Sequence, residues 1–170
     1  MNTTRSSAER VARGAAALTI ALALSYLEFL LPPLTSFPGF KPGLANIVIT
    51  FVFFYVSPLD AALVSLARIA LSSLLFGSVS GFLFSLSGGA LAYAFLPVAK
   101  YVLRDRISFF GTSVACAALH NVGQVAVFAL TFADASVFGI LGILLPASLL
   151  TGGVTGIIML VISKYAEKLL

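Results

Sequence analysis

An uncharged stretch at residues 69–99 constrains the fold of this chain more than any other feature. It is too long for one membrane-spanning helix, because about 20 apolar residues already cross the hydrocarbon core of a bilayer. Gly77 and Gly81 bracket a break in this stretch, which predicts two helices joined by a turn. The whole chain is 60% hydrophobic and only 9% charged, which is outside the usage of soluble domains. We therefore predict an integral membrane protein.

Six apolar runs predict an all-α integral membrane protein whose residues 1–170 form one bundle of six transmembrane helices. Proline, glycine or short charged segments separate the runs. The second run is short for a span, but a helix of this length can cross when flanking loop residues share the depth. The predicted helices cover residues 11–31, 43–57, 60–76, 82–103, 107–131 and 137–163.

A cleaved secretory signal peptide is an alternative for the first run. Basic residues precede it, and Ala21 and Ala23 resemble the small residues of a cleavage site. The apolar run passes straight through that site, which favours a first membrane span.

The basic residues predict the orientation of the bundle. With six spans, the N-terminus, residues 100–106 and the C-terminus share one side, and they hold eight of the ten Lys and Arg residues. Lys and Arg accumulate in cytoplasmic loops, so we predict a multi-pass protein of the cytoplasmic (inner) membrane with both termini inside the cell. The charges are thus topology signals in contact with the lipid bilayer, and no nucleic-acid partner is expected.

Residues 37–46, Phe-Pro-Gly-Phe-Lys-Pro-Gly-Leu-Ala-Asn, predict a loop of defined shape between the first two helices. Proline fixes φ and glycine admits positive φ, so together they restrict the loop. A shaped loop at membrane depth must be buried in protein or line a cavity, and this favours a binding site that includes Lys41. The alternative for the loop is a tight connection between two membrane helices. The alternative for Lys41 is a lysine whose side chain extends to the membrane interface.

Polar side chains within the apolar runs are the candidate substrate-binding residues. Charges and amides are costly in hydrocarbon and normally face the bundle interior or a wet cavity. His120 and Gln124 are four residues apart and share one helix face. Their depth predicts a pocket in the outer half of the bundle, between the fifth helix and the 37–46 loop. The predicted substrate-binding residues are Glu28, Lys41, Asn46, Arg68, His120, Asn121 and Gln124.

Structural roles remain open for most of these residues. Arg68 could form a structural ion pair with Glu28, because intramembrane charges often pair with each other. The polar residues of the fifth helix could instead form hydrogen bonds between helices. Gly152 and Gly156 have the spacing of small residues at a close helix contact.

The chain lacks the motifs that catalysis on phosphates requires. A prenyl-chain synthase needs clustered carboxylates that hold magnesium against diphosphate, whereas Asp60, Asp105 and Asp134 are isolated. No Gly-x-x-x-x-Gly-Lys-Ser/Thr loop is present for ATP. Cys116 is the only cysteine and cannot form a cysteine metal site. We predict that the chain is not an enzyme by itself and uses no cofactor or metal.

Four segments together resemble the family labelled heptaprenyl diphosphate synthase component I, also called the Gx transporter family. They are residues 38–46, Arg68, residues 76–89 with Phe-Gly-Ser and Phe-Leu-Phe-Ser-Leu-Ser-Gly-Gly, and residues 120–124 with His-Asn-Val-Gly-Gln. The family resembles the substrate-binding S components of energy-coupling factor (ECF) transporters. This resemblance implies six helices, an outward-facing pocket closed by the first loop, and small residues of the first helix in contact with a separate coupling subunit. Ala17 and Ala21 match that last feature.

The resemblance implies a substrate-binding membrane subunit of an ECF-type transporter. Its substrate would be a small polar, anionic or amphipathic molecule, either vitamin-like or prenyl-phosphate-like. Its partners would be a separate transmembrane coupling subunit and ATPases, because the chain has no nucleotide motif of its own. The alternative is a non-catalytic membrane accessory subunit of polyprenyl diphosphate synthesis, or a lipid-binding membrane protein.

Overall fold

The computed structural model describes residues 3–30 and 43–169, and these residues form helices and short turns without any strand. The prediction of an all-helical protein is confirmed. A short 3-10 segment, Ala135–Ile140, precedes the last helix. The described α-helices are α1 (Thr3–Leu30), α2 (Ala45–Tyr55), α3 (Pro58–Phe76), α4 (Val79–Pro97), α5 (Phe109–Phe132) and α6 (Leu141–Leu169).

Serine caps set the starts of three helices. Ser57, Ser78 and Ser108 have extended backbones, and each side chain accepts a hydrogen bond from a backbone N–H in the first turn of α3, α4 or α5. Such a cap satisfies a donor that the helix itself leaves unpaired. The predicted start of α4 at residue 82 was therefore three residues late, because Ser78 lets the helix begin at Val79 inside the predicted break.

Within residues 3–30 and 43–169, five helical segments are long and apolar enough to cross a membrane. α2 is shorter, with 11 residues, which is about 16 Å at 1.5 Å per residue against a hydrocarbon core of about 30 Å. The described chain is therefore a multi-pass membrane bundle, whereas the count of six spans and the orientation remain predictions. The five segments are Ser7–Leu30, Pro58–Phe76, Val79–Arg106, Phe109–Phe132 and Ala135–Ala166.

α2 lies at the centre of the bundle. Seven of its eleven residues are buried, including Val48, Val52 and Phe53. They form one apolar core with residues from α1, α3, α4 and α5, such as Ala21 and Cys116. Protein contacts therefore cover most of this short helix.

A lysine after α4 caps the C-terminus of α2. α4 ends at Pro97, and the chain continues as a π-helix over Val98–Leu103. Within it, the Lys100 Nζ atom donates hydrogen bonds of 3.1 Å to the carbonyls of Phe53 and Phe54, and it lies 5.4 and 5.5 Å from their ring centroids. The last carbonyls of a helix are unpaired and carry partial negative charge. Lys100, expected only as a topology signal, therefore stabilises the end of the central helix.

Glycines bring α4, α5 and α6 into close contact. A Cβ atom at Gly152 would lie 2.6 Å from Val114 Cα, and one at Gly123 would lie 2.7 Å from the Ser87 carbonyl oxygen. A Cβ atom at Gly156 would lie 2.8 Å from Phe110 Cα. Only glycine permits backbones to approach so closely. Gly152 and Gly156 thus form the close helix contact that their spacing predicts.

Candidate functional site

Four of the predicted binding residues meet between four helices. Glu28 of α1, Asn46 of α2, Arg68 of α3 and His120 of α5 form what we call the buried polar layer. Glu28 is 5% exposed and Arg68 is 8% exposed. Arg68 donates to Asn46 and interacts electrostatically with both Glu28 and His120. Residues that are far apart in the sequence are therefore neighbours inside the membrane bundle.

Arg68 is a buried cation whose N–H donors are incompletely paired among the described residues. Its Nη2 atom donates to Asn46 Oδ1 over 3.4 Å, which is long for a hydrogen bond. Its Nε atom has no hydrogen-bond partner among the described residues. A guanidinium has five N–H donors, and burial without enough acceptors is costly. Arg68 can therefore donate to a further anionic or polar group.

Glu28 joins the end of α1 to the start of α2. Its carboxylate accepts a hydrogen bond from the backbone N–H of Leu44, the residue that precedes α2. Gly43 has a φ of 77°, which favours glycine and turns the chain into this helix. The first N–H groups of a helix are unpaired and carry partial positive charge, so a carboxylate there is stabilising. Glu28 thus has a structural contact in addition to its electrostatic interaction with Arg68.

A small cavity lies beside His120 and Asn46. Its volume is about 20 Å³, and a cavity needs roughly 10–15 Å³ to hold one water molecule. The Nδ1 atom of His120 has no hydrogen-bond partner among the described residues. The imidazole packs directly on α4, because a Cβ atom at Gly88 would lie 2.8 Å from Nδ1. In this conformation the site admits a molecule of about the size of water, so a larger ligand requires the helices to separate.

Asn121 binds two helices together. Its Nδ2 atom donates to Ser148 Oγ at 2.9 Å and to the Leu144 carbonyl at 3.2 Å, both on α6. These contacts match the alternative that polar residues of α5 form hydrogen bonds between helices. Asn121 still borders the small cavity, whereas the half-buried Gln124 does not line it. Lys41 and the other residues of the 37–42 segment lie outside the described residues.

The predicted partner contacts on α1 differ in exposure. Ala21 is fully buried in the core of its own chain, and Ala17 is half-buried against that core. α1 exposes small residues on another face, among them Ala12 and Ala15. A separate subunit could contact Ala21 only after α1 had moved away from the bundle.

Small hydroxyl residues of the cavity wall were not predicted as site residues. Thr50 of α2 and both Thr151 and Thr155 of α6 line the cavity, together with Ser113 of α5. The two threonines of α6 are four residues apart, and this spacing places them on one helix face. That spacing was a usable signal, but threonine also occurs often at plain helix contacts in membranes.

The four side chains of the buried polar layer are one carboxylate, one guanidinium, one imidazole and one carboxamide. Among residues 3–30 and 43–169, no three His, Cys, Asp or Glu side chains lie close enough to hold a metal ion. The layer therefore offers donors for an anionic or polar ligand, without the carboxylate cluster that a magnesium diphosphate complex requires.

A family model described as heptaprenyl diphosphate synthase component I matches residues 17–162, a segment that contains the whole buried polar layer. No curated protein and no solved structure gives a significant match.

Proposed function

The chain belongs to the heptaprenyl diphosphate synthase component I family, and we propose that it is the substrate-binding membrane subunit of an ECF-type transporter. The family name denotes one component of a synthase, the non-catalytic one, and the chain is not catalytic by itself. Binding and transport require a pocket and a partner, and they require no reacting groups in this chain.

The incompletely paired Arg68 is the observation that carries this proposal. A buried charge in a membrane bundle is costly and normally marks a pathway or a binding site. One 3.4 Å bond to a neutral amide leaves the Arg68 Nε donor without a partner among the described residues. A small anionic or polar substrate would accept from Arg68 and contact Asn46 and His120. We propose that Lys41 and Gln124 contact the same substrate when the site opens.

The proposal requires that the buried polar layer opens, because the present cavity of about 20 Å³ is too small for such a substrate. The hydrogen bond between Glu28 and the Leu44 N–H holds together the two helix ends that the 31–42 segment connects. We propose that this contact breaks when substrate enters from the outer side and forms again after release.

The proposed partners are a coupling subunit and ATPases that supply the energy. Close helix contacts in membranes use small residues, and α1 exposes Ala12 and Ala15 and partly exposes Ala17. Tryptophan at Ala12 should prevent co-purification with a coupling subunit and leave substrate binding unchanged. Transport by the isolated chain in liposomes without nucleotide would contradict the dependence on partners.

Substrate binding can be tested by ligand-induced stabilisation. Native mass spectrometry of protein purified without added ligand would identify the bound molecule, which then serves as the probe. A ligand at 100 times its Kd stabilises the folded state by about 2.7 kcal/mol. Arg68→Gln should weaken binding at least tenfold and so remove about 1.4 kcal/mol of this stabilisation.

Arg106→Gln is the matched control, because Arg106 is an exposed arginine outside the layer. If Arg68→Gln lowers the thermal stability of the free protein but leaves the ligand-induced gain unchanged, the layer is structural and the proposal is wrong. Arg68→Lys keeps the charge but loses the planar donor geometry, so it should bind with intermediate affinity.

The family name favours a second candidate function. Under it, the chain is a membrane accessory subunit that binds another component of a polyprenyl diphosphate synthase. Co-expression with a synthase catalytic component separates the two functions. Complex formation and altered product length, without transport, would favour the accessory role.

The proposed orientation, with both termini in the cytoplasm, has a direct test. Single cysteines at Ser36 and Lys168, in a Cys116→Ser background, should react with a membrane-impermeant reagent from opposite sides, because five of the six predicted spans separate the two positions. Reaction from the same side would contradict the six-span arrangement.

A further inference from the structure

A pocket lies where the turn between α4 and α5 meets α2 and α6. Its volume is about 530 Å³, within the roughly 300–1,000 Å³ that is typical of ligand sites. The turn joins two of the long apolar segments, Val79–Arg106 and Phe109–Phe132, so it lies where the chain leaves and re-enters the bilayer. We call this space the turn pocket, and its polar lining residues are Lys100, Arg104, Asp105, Ser108 and Thr112.

Two cations of the turn pocket have N–H donors without an acceptor among the described residues. Lys100 Nζ has three donors, and two of them bond to carbonyls at the end of α2. Arg104 donates only from Nε, over 3.2 Å to the Tyr101 carbonyl. Asp105 also lines the pocket, but no ion pair within the described part of the chain joins it to either cation. The pocket therefore carries a net positive charge.

The backbone of this segment is unusual at both cations. Lys100 lies in the π-helix Val98–Leu103, and such segments are rare and often occur at functional sites. Arg104 follows with a φ of 45°, which is strained for a residue that has a side chain. Glycine at position 104 would relieve the strain but would also remove the cation. The strained position therefore indicates a role for the Arg104 side chain.

α5 contributes further donors to the turn pocket. Thr112 lines the pocket and is only 1% exposed, and its hydroxyl has no hydrogen-bond partner among the described residues. Phe109, the first residue of α5, also lines the pocket. The start of a helix carries partial positive charge. The polar wall of the pocket is therefore suited to an anion.

The rest of the wall is apolar. It includes Phe54 of α2, Phe109 of α5 and Leu160 of α6. A free anion is hydrated and gains little from such side chains, whereas an acyl chain gains from their burial. The turn pocket thus places an anion site beside an apolar wall at the membrane surface. A phospholipid has the same arrangement, with a charged headgroup next to its chains.

We propose that the turn pocket binds an anionic phospholipid through the phosphate of its headgroup. The phosphate accepts from Arg104, Thr112 and the remaining N–H of Lys100, and the acyl chains lie against Phe54 and Leu160. Basic pockets between membrane helices recognise anionic headgroups in this way. The inference does not rest on transport. The site is also separate from the buried polar layer, because Thr112 and His120 are about 12 Å apart along α5.

Arg104→Gln tests the cation, with dioleoylphosphatidylglycerol as the probe in native mass spectrometry. Binding should weaken about fivefold, as expected for one arginine near a lipid headgroup. Arg106→Gln is the matched control, because Arg106 is exposed in the same turn and does not line the pocket. Equal losses in the two variants would show a general attraction of the basic turn to an anionic surface, and the proposed site would be wrong.

Asp105→Asn is a test that misfolding cannot imitate. Removal of this carboxylate from the pocket wall should strengthen binding of dioleoylphosphatidylglycerol, because the net positive charge of the pocket rises. Unchanged or weaker binding would contradict the proposal.

Thr112→Val tests the hydroxyl, because it nearly keeps the shape of the side chain. Binding of the same probe should weaken about threefold, which is the effect of one hydrogen bond. Thr131→Val is the control, since the Thr131 hydroxyl bonds to the Val127 carbonyl of its own helix, near the other end of α5. Equal affinity of Thr112→Val and the wild type would remove Thr112 from the site.

Two competitors identify the kind of ligand. Dioleoylphosphatidylcholine has the same chains and a phosphate, but its headgroup has no net charge, so it should displace the probe poorly. Inorganic phosphate lacks the chains and should also compete poorly. Equal binding of phosphatidylcholine, or displacement by inorganic phosphate at the concentration of the lipid, would overturn the proposal. Arg68→Gln should leave binding in the turn pocket unchanged, which separates this site from substrate binding.

Discussion

The two sides of the bundle differ in how closely their helices approach. In α4, α5 and α6, Gly123 and Gly152 bring backbones so close that a Cβ atom would clash. α1 and α2 instead leave a groove of about 360 Å³ between them, lined by apolar side chains such as Ile20 and Phe51. Lipid tails are as apolar as leucine, so close packing and hydrogen bonds hold membrane helices together. The difference indicates a closely packed scaffold of α4, α5 and α6 on one side and a more open pair of helices, α1 and α2, on the other.

The largest loss of stability is expected when a larger side chain is placed at the closest contact between α5 and α6. Gly152→Leu would force a side chain against the backbone at Val114 and should destabilise the protein by about 3 kcal/mol or more. Gly153→Ala is the control, because its Cβ atom would lie 3.4 Å from the Phe110 ring, an ordinary contact distance. Unfolding in a denaturing detergent measures both variants. If Gly152→Leu were as stable as the wild type, close packing of α5 against α6 would not distinguish this side of the bundle from the other.

Lys100→Met should have the next largest effect, because Lys100 joins α2 to the segment after α4. The substitution removes two hydrogen bonds and a cation from the C-terminus of α2, and a partly buried cation at a helix end contributes up to about 2 kcal/mol. The same unfolding assay should show a loss of this order. Lys164→Met, at an exposed lysine that lies before the last turn of α6, is expected to be neutral. A neutral Lys100→Met would mean that packing alone holds α2.

Asn121→Ala should cost less, about 1 kcal/mol, although it removes both hydrogen bonds between α5 and α6. Hydrogen bonds between membrane helices are individually weak, on the order of 0.6 kcal/mol. Ser163→Ala is the control, because Ser163 bonds only to Leu160 of its own helix. A loss several times larger would show that hydrogen bonds, more than glycine contacts, hold the scaffold together.

The smallest effect is expected for Arg10→Gln on the open side. The Arg10 side chain is 51% exposed, and exposed ion pairs are weak and screened by salt. Thermal stability should change within experimental error, and any difference at low salt should vanish in about 1 M NaCl. A loss of thermal stability that persists at high salt would show that the ion pair with Asp60 holds α1 in place. The contact between α1 and α3 would then be stronger than the open packing of this side indicates.

Sequence reasoning located the helices but not their environments. Run lengths, Gly77 and the charged residues 100–106 predicted the order of the helices, because these signals are local. The central position of α2 was not predictable, since an apolar residue that faces lipid and one that faces protein look the same in hydropathy. For the same reason the sequence did not indicate that Ala21 is buried in the core of its own chain.

The burial of the polar side chains was predictable from the sequence, whereas their pairings were not. The cost of polar groups in hydrocarbon predicts that Arg68 faces the bundle interior, and Arg68 is 8% exposed; its role in substrate binding stays a prediction. The bond from Arg68 to Asn46 and the bonds from Asn121 to α6 depend on helix rotation, which the sequence pattern leaves undetermined. The groove between α1 and α2 was not predicted, because it forms between helices, and Arg10 and Arg13, which line one end of it, were interpreted only as topology signals.

The contacts at the two ends of α2 also bear on how the protein is assembled. A carboxylate, Glu28, meets the N-terminal end through Leu44, and an ammonium, Lys100, meets the C-terminal end. Each charge is opposite to the partial charge of the helix end that it touches. If α2 entered the bilayer upside down, both contacts would become repulsive. The two side chains therefore favour the direction in which α2 lies in the bundle.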